Sequence, residues 1–492
     1  MAASMVKRTG LVLRPDSSRV FFRPFALPHR ERVIRTLARI MALSEQQVIE
    51  ESERMLQSFA ERHIKVREYL LRRFEEIRDE LISDQPLSER RRLLVGAYFT
   101  LEYSLEAAAL FNPSLVPHPD QSGVAEGHLR LVLSLRATGE GHLSSIVFRT
   151  AEVDHDGIIS VNPPTRFVTA ASPNPNASYE KRLFERKLAE LGLFDDFAAS
   201  LMADLDSTFT VAQLERSLER GLRRGRFSNR DQQQNTARGI LALAQANYEV
   251  SFDADTRLSE RVIFPNTQAE SRGIEDARFV MFREDDGSTS YYATYSAYDG
   301  HIVLPQIIHT RDFLNFRVST LNGPEVRNKG MALFPRKING HFAMLSRQDG
   351  ENIFLMYSDM LHFWHEKRTL LRPTESWEFV QLGNCGSPIE TEEGWLLLTH
   401  GVGPMRRYVI GAVLLDREDP ARVIGRLREP LLTPTETERE GYVPNVVYSC
   451  GSLLHAGNLI IPYAMSDQCT SFATVPIAEL LNELKRNPPP SA

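Results

Sequence analysis

The first part of the chain carries apolar residues at the spacing of an amphipathic helix. They recur every three or four positions between residues 29 and 110. The clearest run is Leu70, Phe74, Ile77 and Leu81. Ser44, followed three residues later by Gln47, predicts a capping box at the start of one helix. We therefore expect an N-terminal helical extension over residues 1–110 that packs against the main domain or against another subunit.

After Asn112 the apolar positions fall into short runs separated by turns, which is typical of β-strands. One segment, about residues 178–246, interrupts these runs with apolar residues at helical spacing. The rest of the chain, residues 111–492, is therefore predicted to be one β-rich domain with a helical insertion.

A short unit recurs five times within the β-rich part. Each copy has a turn, an apolar strand, a second turn marked by Gly or Asn, and further strands. The copies begin at Phe111, Glu275, Ala332, Gly386 and Val443. After the interrupted first interval they start roughly 55 to 60 residues apart, which suits a propeller blade of three or four strands. The pattern predicts an all-β fold, a five-bladed β-propeller, with the helical insertion between blades 1 and 2.

Composition narrows the classes of function. The 492 residues carry a formal net charge of −6, which argues against a nucleic acid or an anionic membrane as partner. Three cysteines without metal-ligand spacing indicate a reducing compartment. No apolar run has the length of a signal peptide or a membrane span, so we expect a cytoplasmic protein.

The densest group of charged residues lies at the start of the second copy. Glu275, Asp276 and Arg278 stand close together between apolar neighbours. In an extended strand Glu275 and Asp276 point to opposite faces, so one is expected to face the central channel while Arg278 or backbone amides hold the other. On local sequence alone, a structural ion pair explains this group more often than a catalytic site does. His362 and His365 are three residues apart but match no zinc motif, so no metal is predicted.

Several ordered motifs change that balance. Gly273 to Arg278 resembles the Gly-(Ile/Val)-Glu-Asp-Pro-Arg signature of glycoside hydrolase family 130, the inverting β-mannoside phosphorylases. The other matching segments span the β-rich part apart from the helical insertion: 111–113, 135–137, 333–340, 394–402, 408–420 and 443–447. Ala277, Arg336 and Thr399 depart from the residues usual in the family, which places the chain in an outlying branch.

The resemblance implies roles for particular residues. Asp276 corresponds to the catalytic acid, which in the family passes its proton to the glycosidic oxygen through a sugar hydroxyl. Phosphate takes the place of the activated water of a hydrolase and needs cationic and hydrogen-bond donors. The phosphate-binding positions fall on Arg327, Lys337, His400 and Tyr408, with Lys329 as an alternative to Arg327. The substrate-binding positions fall on Asn112, Arg136, Glu275, Arg278, Asp299 and Asp467.

The resemblance therefore predicts phosphorolysis of a β-mannoside to α-mannose 1-phosphate, with inorganic phosphate as co-substrate and no cofactor. Three alternatives stay open: a β-mannosidase, a β-mannosyltransferase, or a propeller that binds glycans without catalysis. Each local motif also has a structural explanation, such as a turn at Asp299 or a core position for His400. A homo-oligomer formed through the helical extension is a further expectation.

Overall fold

The computed structural model describes residues 2–81, 85–174, 178–224, 230–301 and 303–488. Two groups of helices lie within this part of the chain. The α-helices are α1 (Arg30–Met41), α2 (Glu45–Phe59), α3 (Val66–Ile77), α4 (Glu89–Tyr98), α5 (Lys181–Glu190), α6 (Asp196–Ala203), α7 (Val211–Arg224), α8 (Arg230–Gln245) and α9 (Ile477–Arg486). The first four form the predicted extension, α5 to α8 form the predicted insertion, and α9 follows the last strand.

Most of the remaining described chain forms five mainly antiparallel sheets of four to six strands. The first sheet contains Ala109–Pro117, Leu129–Thr138, Ser144–Val153, Ile159–Val161, Thr169–Ala170 and Arg261–Ile263. The second contains Ser172–Pro173, Tyr248–Ser251, Ile274–Arg283, Thr289–Tyr298, Val303–Thr310 and Asn315–Thr320.

The other three sheets follow in chain order. The third contains Ala332–Leu333, Phe342–Ser346, Ile353–Ser358 and Arg368–Leu371. The fourth contains Gln381–Asn384, Ile389–Thr391, Gly394–Val402, Tyr408–Leu415 and Val423–Arg426. The fifth contains Lys7–Leu13, Val447–Tyr448, Leu453–His455, Asn458–Met465 and Cys469–Pro476. The described chain is thus mostly β, and each of the five sequence repeats falls in a different sheet.

Hydrogen bonds connect each sheet to the next along the chain, and the fifth sheet to the first. In that order the bonds run from Phe279 N–H to Ser114 Oγ (3.1 Å), Arg283 N–H to Pro335 O (2.9 Å), Asn384 Nδ2 to Gly330 O (2.5 Å), Tyr408 N–H to Asn445 O (3.0 Å) and Cys450 N–H to Pro113 O (2.9 Å). Each sheet therefore contacts the sheet that follows it, and the contact between the second and third sheets lies at the end of the strand Ile274–Arg283.

The strand Gly394–Val402 illustrates how the sheets pack. All nine of its residues are buried, and successive side chains point to opposite faces. Trp395 and Leu397 belong to an apolar cluster shared with the third sheet, whereas Leu396 and Leu398 belong to one shared with the fifth. Because both faces are covered, this strand is apolar from Trp395 to Leu398 instead of alternating with polar residues.

The N-terminal region also contains strands that the helical pattern did not predict. Lys7–Leu13 pairs with Cys469–Pro476 and so completes the fifth sheet. Val20–Pro24 and Thr100–Ser104 pair with each other on either side of α1 to α4. The capping box at Ser44 and Gln47 is confirmed at the start of α2.

The helical insertion has its own apolar core, to which Tyr179, Phe184 and Phe209 contribute. After it, the chain returns as two inner strands: Tyr248–Ser251 lies between Asn315–Thr320 and Ser172–Pro173 in the second sheet, and Arg261–Ile263 lies inside the first. Among the described helices, none is both long and apolar enough to span a membrane.

Candidate active site

The strand Ile274–Arg283 begins with a break in its pairing register between Glu275 and Arg278. At the break Asp276 has a φ of 56°, in the left-handed region that few residues other than Gly occupy. Asn112 has a φ of 47° at a similar break in the first sheet. These β-bulges turn the side chains of both residues away from the ordinary alternation of a strand.

Because of the bulge, Glu275 and Asp276 do not point to opposite faces, and that expectation was wrong. Both carboxylates contact the guanidinium of Arg136: Nη2 lies 3.0 Å from Glu275 Oε1, and Nη1 lies 3.3 Å from Asp276 Oδ1. Asn112 donates a hydrogen bond of 2.6 Å from its Nδ2 to the same Asp276 oxygen. Four predicted site residues from two sheets therefore meet at one point.

Lys329 joins this group from the loop that precedes the third sheet. Its ammonium lies 3.3 Å from Glu275 Oε2, so Glu275 bridges Lys329 and Arg136. Arg327 is exposed, and its Nε donates to the carbonyl of Pro324. Of the two cations considered for this position, the structure therefore brings Lys329 to the carboxylates.

Charge controls the protonation of Asp276. Burial alone favours the neutral acid and would raise the pKa of Asp276. This effect is outweighed by the positive charges of Arg136, Arg278 and Lys329 and by the hydrogen bond from Asn112. Together they lower the pKa of Asp276 to about 2. The side chain is therefore an anion at neutral pH in this unliganded structure. A role as proton donor requires a ligand that offsets these cations.

Arg278 connects Asp276 to a second group of buried residues. Its Nη1 donates to the backbone carbonyl of Asp276 at 3.0 Å, and its Nη2 donates to the hydroxyl of Tyr448 at 2.6 Å. The ring of Tyr448 packs on His400 with the centroids 4.8 Å apart. The ring of Tyr408 lies nearly parallel to that of His400 at 5.9 Å. Predicted catalytic and phosphate-binding residues therefore lie in one connected network.

The hydrogen bonds of His400 define its tautomer. Nδ1 lies 3.2 Å from the carbonyl oxygen of Asn384, which can only accept, so Nδ1 carries the proton. Nε2 then accepts from Gln381 at 3.1 Å and from Arg347 at 3.4 Å. Burial, followed by the charges of Arg347 and Arg278, holds the pKa of His400 well below its usual value, so the ring is neutral. In this geometry His400 orients Arg347.

Gly383 makes this arrangement possible. A Cβ at Gly383 would lie 2.3 Å from the His400 ring and 3.2 Å from the side chain of Arg347. Only a residue without a side chain leaves room for both groups at this place.

Arg347 is a site residue that sequence reasoning missed. Its side chain is only 6% exposed, and its Nε has no hydrogen-bond partner among the described residues. Arg347 follows the apolar strand Phe342–Ser346 directly. A positively charged residue at the end of an apolar strand is the feature of the sequence that could have identified it. Tyr448 was also missed, because it resembles an ordinary strand aromatic.

Several polar atoms in this network are buried and have no hydrogen-bond partner among the described residues. Buried polar groups normally have partners, so such atoms indicate places where a ligand or water binds. Four of those in the described chain belong to the network: Asn112 Oδ1, Arg136 Nε, Arg278 Nε and Arg347 Nε. Three guanidinium groups and one amide therefore have hydrogen-bonding capacity to spare around Asp276.

Asp467 contributes a third carboxyl group. It lies in a turn of the fifth sheet with a φ of 51°, after Ser466 with a φ of 48°. Burial and the charge of Asp276 raise the pKa of Asp467 to about 6, although Arg136 opposes the shift. The site thus holds one strongly acidic and one weakly acidic carboxyl group.

Three predicted residues, Arg327, Lys337 and Asp299, have their contacts described here outside this network. Lys337 pairs with the exposed Asp285 at 2.5 Å, past the far end of the strand Ile274–Arg283. At about 3.3 Å per residue, that end lies roughly 20 Å from Asp276. Asp299 accepts a hydrogen bond of 2.8 Å from the backbone N–H of His301, which forms a local turn.

The sequence is similar to a known family and to several named proteins. The family described as beta-1,4-mannooligosaccharide phosphorylase matches residues 221–486. The 1,2-beta-oligomannan phosphorylase of Thermoanaerobacter sp. (strain X514) is 36% identical over 248 residues, which cover 48% of this chain and 80% of that relative. The beta-1,4-mannooligosaccharide phosphorylase of Ruminococcus albus is 35% identical over 243 residues, covering 46% of this chain and 71% of the relative.

Among solved structures, the beta-1,2-mannobiose phosphorylase from Listeria innocua in complex with beta-1,2-mannobiose is similar with a TM-score of 0.46 and 25% identity, covering 78% of this chain and 94% of that one. The family match and the relatives place the chain among the glycoside phosphorylases. It belongs to glycoside hydrolase family 130, as its ordered motifs predicted.

Proposed function

We propose that this protein is an inverting β-mannoside phosphorylase that releases α-mannose 1-phosphate. The observation that carries the proposal is the cationic setting of Asp276. Arg136, Arg278 and Lys329 all lower its pKa, and the buried Arg347 joins the same network through His400 and Tyr448. Such a cluster suits a dianionic co-substrate better than a neutral water.

Asp276 acts as the general acid in this proposal. In the free enzyme its neighbours keep it ionised, but bound phosphate neutralises the surrounding cations and adds negative charge nearby. Both effects raise the pKa of Asp276, so a proton enters the site together with phosphate. That proton then passes through a sugar hydroxyl to the glycosidic oxygen, as the family resemblance implies, while the aglycone leaves.

Phosphate attacks the anomeric carbon from the opposite face of the sugar ring. A single displacement inverts the configuration, so a β-mannoside yields the α-phosphate. Arg347 and Lys329 are the proposed phosphate ligands, with His400 and Tyr408 placing the guanidinium of Arg347. Asn112, Arg136, Glu275 and Asp467 are the proposed sugar contacts, and Arg278 fixes the backbone of Asp276. No cofactor takes part in this scheme.

One observation favours a second candidate, an inverting β-mannosidase. Such a hydrolase needs a second carboxyl group that acts as base towards water. Asp467 is a carboxyl group near Asp276 whose pKa is raised to about 6, and it could take that role. The two candidates differ in one simple way, because only the phosphorylase needs phosphate.

The first test is turnover of β-1,2- and β-1,4-linked mannobiose with and without inorganic phosphate. We expect turnover to rise with phosphate concentration and to be negligible in phosphate-free buffer. Equal turnover in both buffers would identify the hydrolase, and Asp467→Asn should then abolish it. Failure of the enzyme to act on any β-mannoside would leave a glycan-binding role.

The phosphate site has its own test, a pair of matched variants. Arg347→Met removes a buried guanidinium, so the KM for phosphate should rise at least about tenfold, which corresponds to 1.4 kcal/mol or more. Lys337→Met removes a cation that pairs with Asp285 instead, so it should leave the KM for phosphate unchanged. Steady-state kinetics at fixed mannobiose measures both. A raised KM for phosphate in Lys337→Met, with an unchanged KM in Arg347→Met, would instead support Lys337 as the phosphate ligand, as the family resemblance implies.

The same proposal includes the architecture around the site. We propose that the five sheets are the blades of one five-bladed β-propeller over residues 111–492, with residues 1–110 as an extension whose strand Lys7–Leu13 completes the last blade. The contacts between successive sheets, and between the fifth and the first, support this. A cytoplasmic location and a homo-oligomer formed through the extension belong to the proposal, and the exposed Phe25 and Tyr98 of the extension support the latter.

A further inference from the structure

Helix α5 of the insertion contacts the loop that leads to the active site. The ammonium of Lys187 donates to the carbonyl oxygen of Leu321 at 3.1 Å. The carboxylate of Glu190, one turn further on, accepts the backbone N–H of Gly323 at 2.9 Å and lies 3.4 Å from Lys187. Two charged side chains of α5 therefore hold adjacent backbone groups of one loop.

That loop, residues 321–331, also contacts the catalytic network. Lys329, six residues after Gly323, lies 3.3 Å from Glu275. Asn328 donates from its Nδ2 to the carbonyl oxygen of Arg347 at 3.3 Å. The loop thus spans from the insertion to the two cations that we assign to phosphate.

The backbone of this loop adopts unfavourable conformations, so contacts from outside the loop are needed to stabilise it. Gly323 has a φ of 112°, and a Cβ there would lie 2.0 Å from the carbonyl oxygen of Trp364. Asn328 has a φ of 61°, a left-handed conformation that costs a residue other than Gly roughly 1 kcal/mol or more. A segment in such conformations keeps its shape only where its surroundings fix it.

A second contact of α5 reaches the neighbouring segment. The guanidinium of Arg186 lies over the ring of Phe363 at 3.4 Å and contacts His365. The backbone of Trp364 donates to the carbonyl of Asn322 at 2.8 Å, so segments 321–323 and 362–365 are joined. Helix α5 therefore contacts both of these joined segments.

The contact between α5 and the loop is a buried ion pair, which stabilises a fold less than an apolar contact would. Lys187 is only 6% exposed, and removing an ammonium from water costs more than an apolar contact of the same size would. Burial lowers the pKa of Lys187, although Glu190 opposes the shift. A buried ion pair that is bonded to loop backbone fixes one position of that loop, which an apolar contact does less sharply.

We propose that Lys187 and Glu190 are positioning residues of the active site. Through the loop 321–331 they set the place of Lys329 against Glu275, and this gives the helical insertion a part in phosphate-dependent turnover. The inference rests on the proposed function for the role of Lys329. The contacts of Lys187 and Glu190 with the loop do not depend on that function.

A double-mutant cycle tests this role. Glu190→Ala removes the acceptor of the Gly323 N–H, and Lys329→Met removes the cation that the loop presents. We expect Glu190→Ala to lower kcat/KM for phosphorolysis by about three- to tenfold in the wild-type background, and by less than twofold in the Lys329→Met background, because residues that act through each other are not additive. Glu185→Ala, the same change on the same helix, should lower it in neither.

Equal losses in both backgrounds, or a loss as small as that of Glu185→Ala, would overturn the proposal. Hydrogen exchange supplies a readout that does not depend on activity. Backbone amides of residues 321–329 should exchange faster in Glu190→Ala than in wild type or Glu185→Ala. Unchanged exchange would show that Glu190 does not hold the loop, even if the enzyme proves inactive on mannosides. Faster exchange in an enzyme that is inactive on mannosides would contradict only the proposed function. Lys187→Met replaces Glu190→Ala if the latter does not fold.

Discussion

At the scale of single residues, Asp276 combines a strained backbone with an unusual charge environment. Its left-handed φ costs roughly 1 to 3 kcal/mol and persists because the bulge, Asn112 and Arg136 all fix it. The strain directs the carboxylate to the place where the first, second and fifth sheets meet. The same cations that hold it there keep it ionised until an anion arrives.

Asp276→Asn should lower turnover by about 10² to 10⁴ while the protein stays folded, because the amide keeps the size of the side chain but cannot transfer a proton. Asp286→Asn makes the same change at an exposed turn of the same hairpin and should keep wild-type turnover. Initial rates and thermal melting of both variants provide the measurement. An Asp276→Asn enzyme with more than a tenth of wild-type activity would show that another group is the acid.

Asp467 gives a prediction for stability. Its folded pKa of about 6 is higher than that of an unfolded aspartate, so its ionisation costs stability, fully so above pH 6 and not at all below about pH 4. Asp467→Asn should therefore raise the free energy of unfolding by about 1 to 3 kcal/mol at pH 8, with a smaller gain at pH 5. Urea unfolding at the two pH values measures it. A gain that is equal at both would mean that the carboxyl group is not perturbed.

The residues also show where sequence reasoning ends. The motifs correctly brought Asn112, Arg136, Glu275 and Asp276 to one place. The strand rule failed for Glu275 and Asp276 because it assumes regular alternation, and a bulge cannot be seen in a run of letters. Lys337 was expected beside His400, but its position in the turn after a strand sends it to the far end of the sheet.

At the scale of elements, the turn-and-strand repeats were enough to separate five sheets, because every sheet contains its own hairpins with short loops. The helices of the extension and the insertion followed from periodicity and capping residues. The strand Lys7–Leu13 was not foreseen. It is short, its first half is polar and no residue in it is fully buried, and its partner lies more than 450 residues away, so nothing nearby in the chain indicates the pairing.

Arg8 offers a test of that strand. Its guanidinium pairs with the buried Glu438 at 2.9 Å, and Glu438 also accepts from the hydroxyl of Tyr463. Arg8→Ala should lower the free energy of unfolding by about 1 to 3 kcal/mol at pH 7, because it leaves a buried carboxylate without its cation. The exposed Lys7→Ala should change it by less than about 0.5 kcal/mol.

The pH dependence of this loss is also determined. Burial alone would raise the pKa of Glu438, but hydrogen bonds from Arg8 and Tyr463 lower it. A depressed pKa stabilises the fold above the unfolded value and loses that effect as the pH falls through the folded value. The difference between wild type and Arg8→Ala should therefore shrink below about pH 4, and equal differences at pH 7 and pH 3.5 would contradict the pairing.

At the scale of the whole molecule, the site belongs to no single element. Its residues come from all five sheets or from the turns next to them: Asn112 and Arg136 from the first, Glu275 and Asp276 from the second, Arg347 from the third, His400 from the fourth, and Tyr448 and Asp467 from the fifth. The proposed phosphorolysis depends on the cations near Asp276, among them Lys329, whose loop is contacted by the insertion. The proposed activity therefore rests on residues that all five sheets contribute to one connected network.

The most direct test of that activity is the product itself. Proton and phosphorus NMR should follow a β-linked mannobiose incubated with the enzyme and inorganic phosphate. The account predicts that α-mannose 1-phosphate appears as the first product, in step with the loss of mannobiose and with the release of one mannose per molecule cleaved. Formation of the β-phosphate would contradict the single inverting displacement, and release of two free mannoses without any sugar phosphate would contradict phosphorolysis.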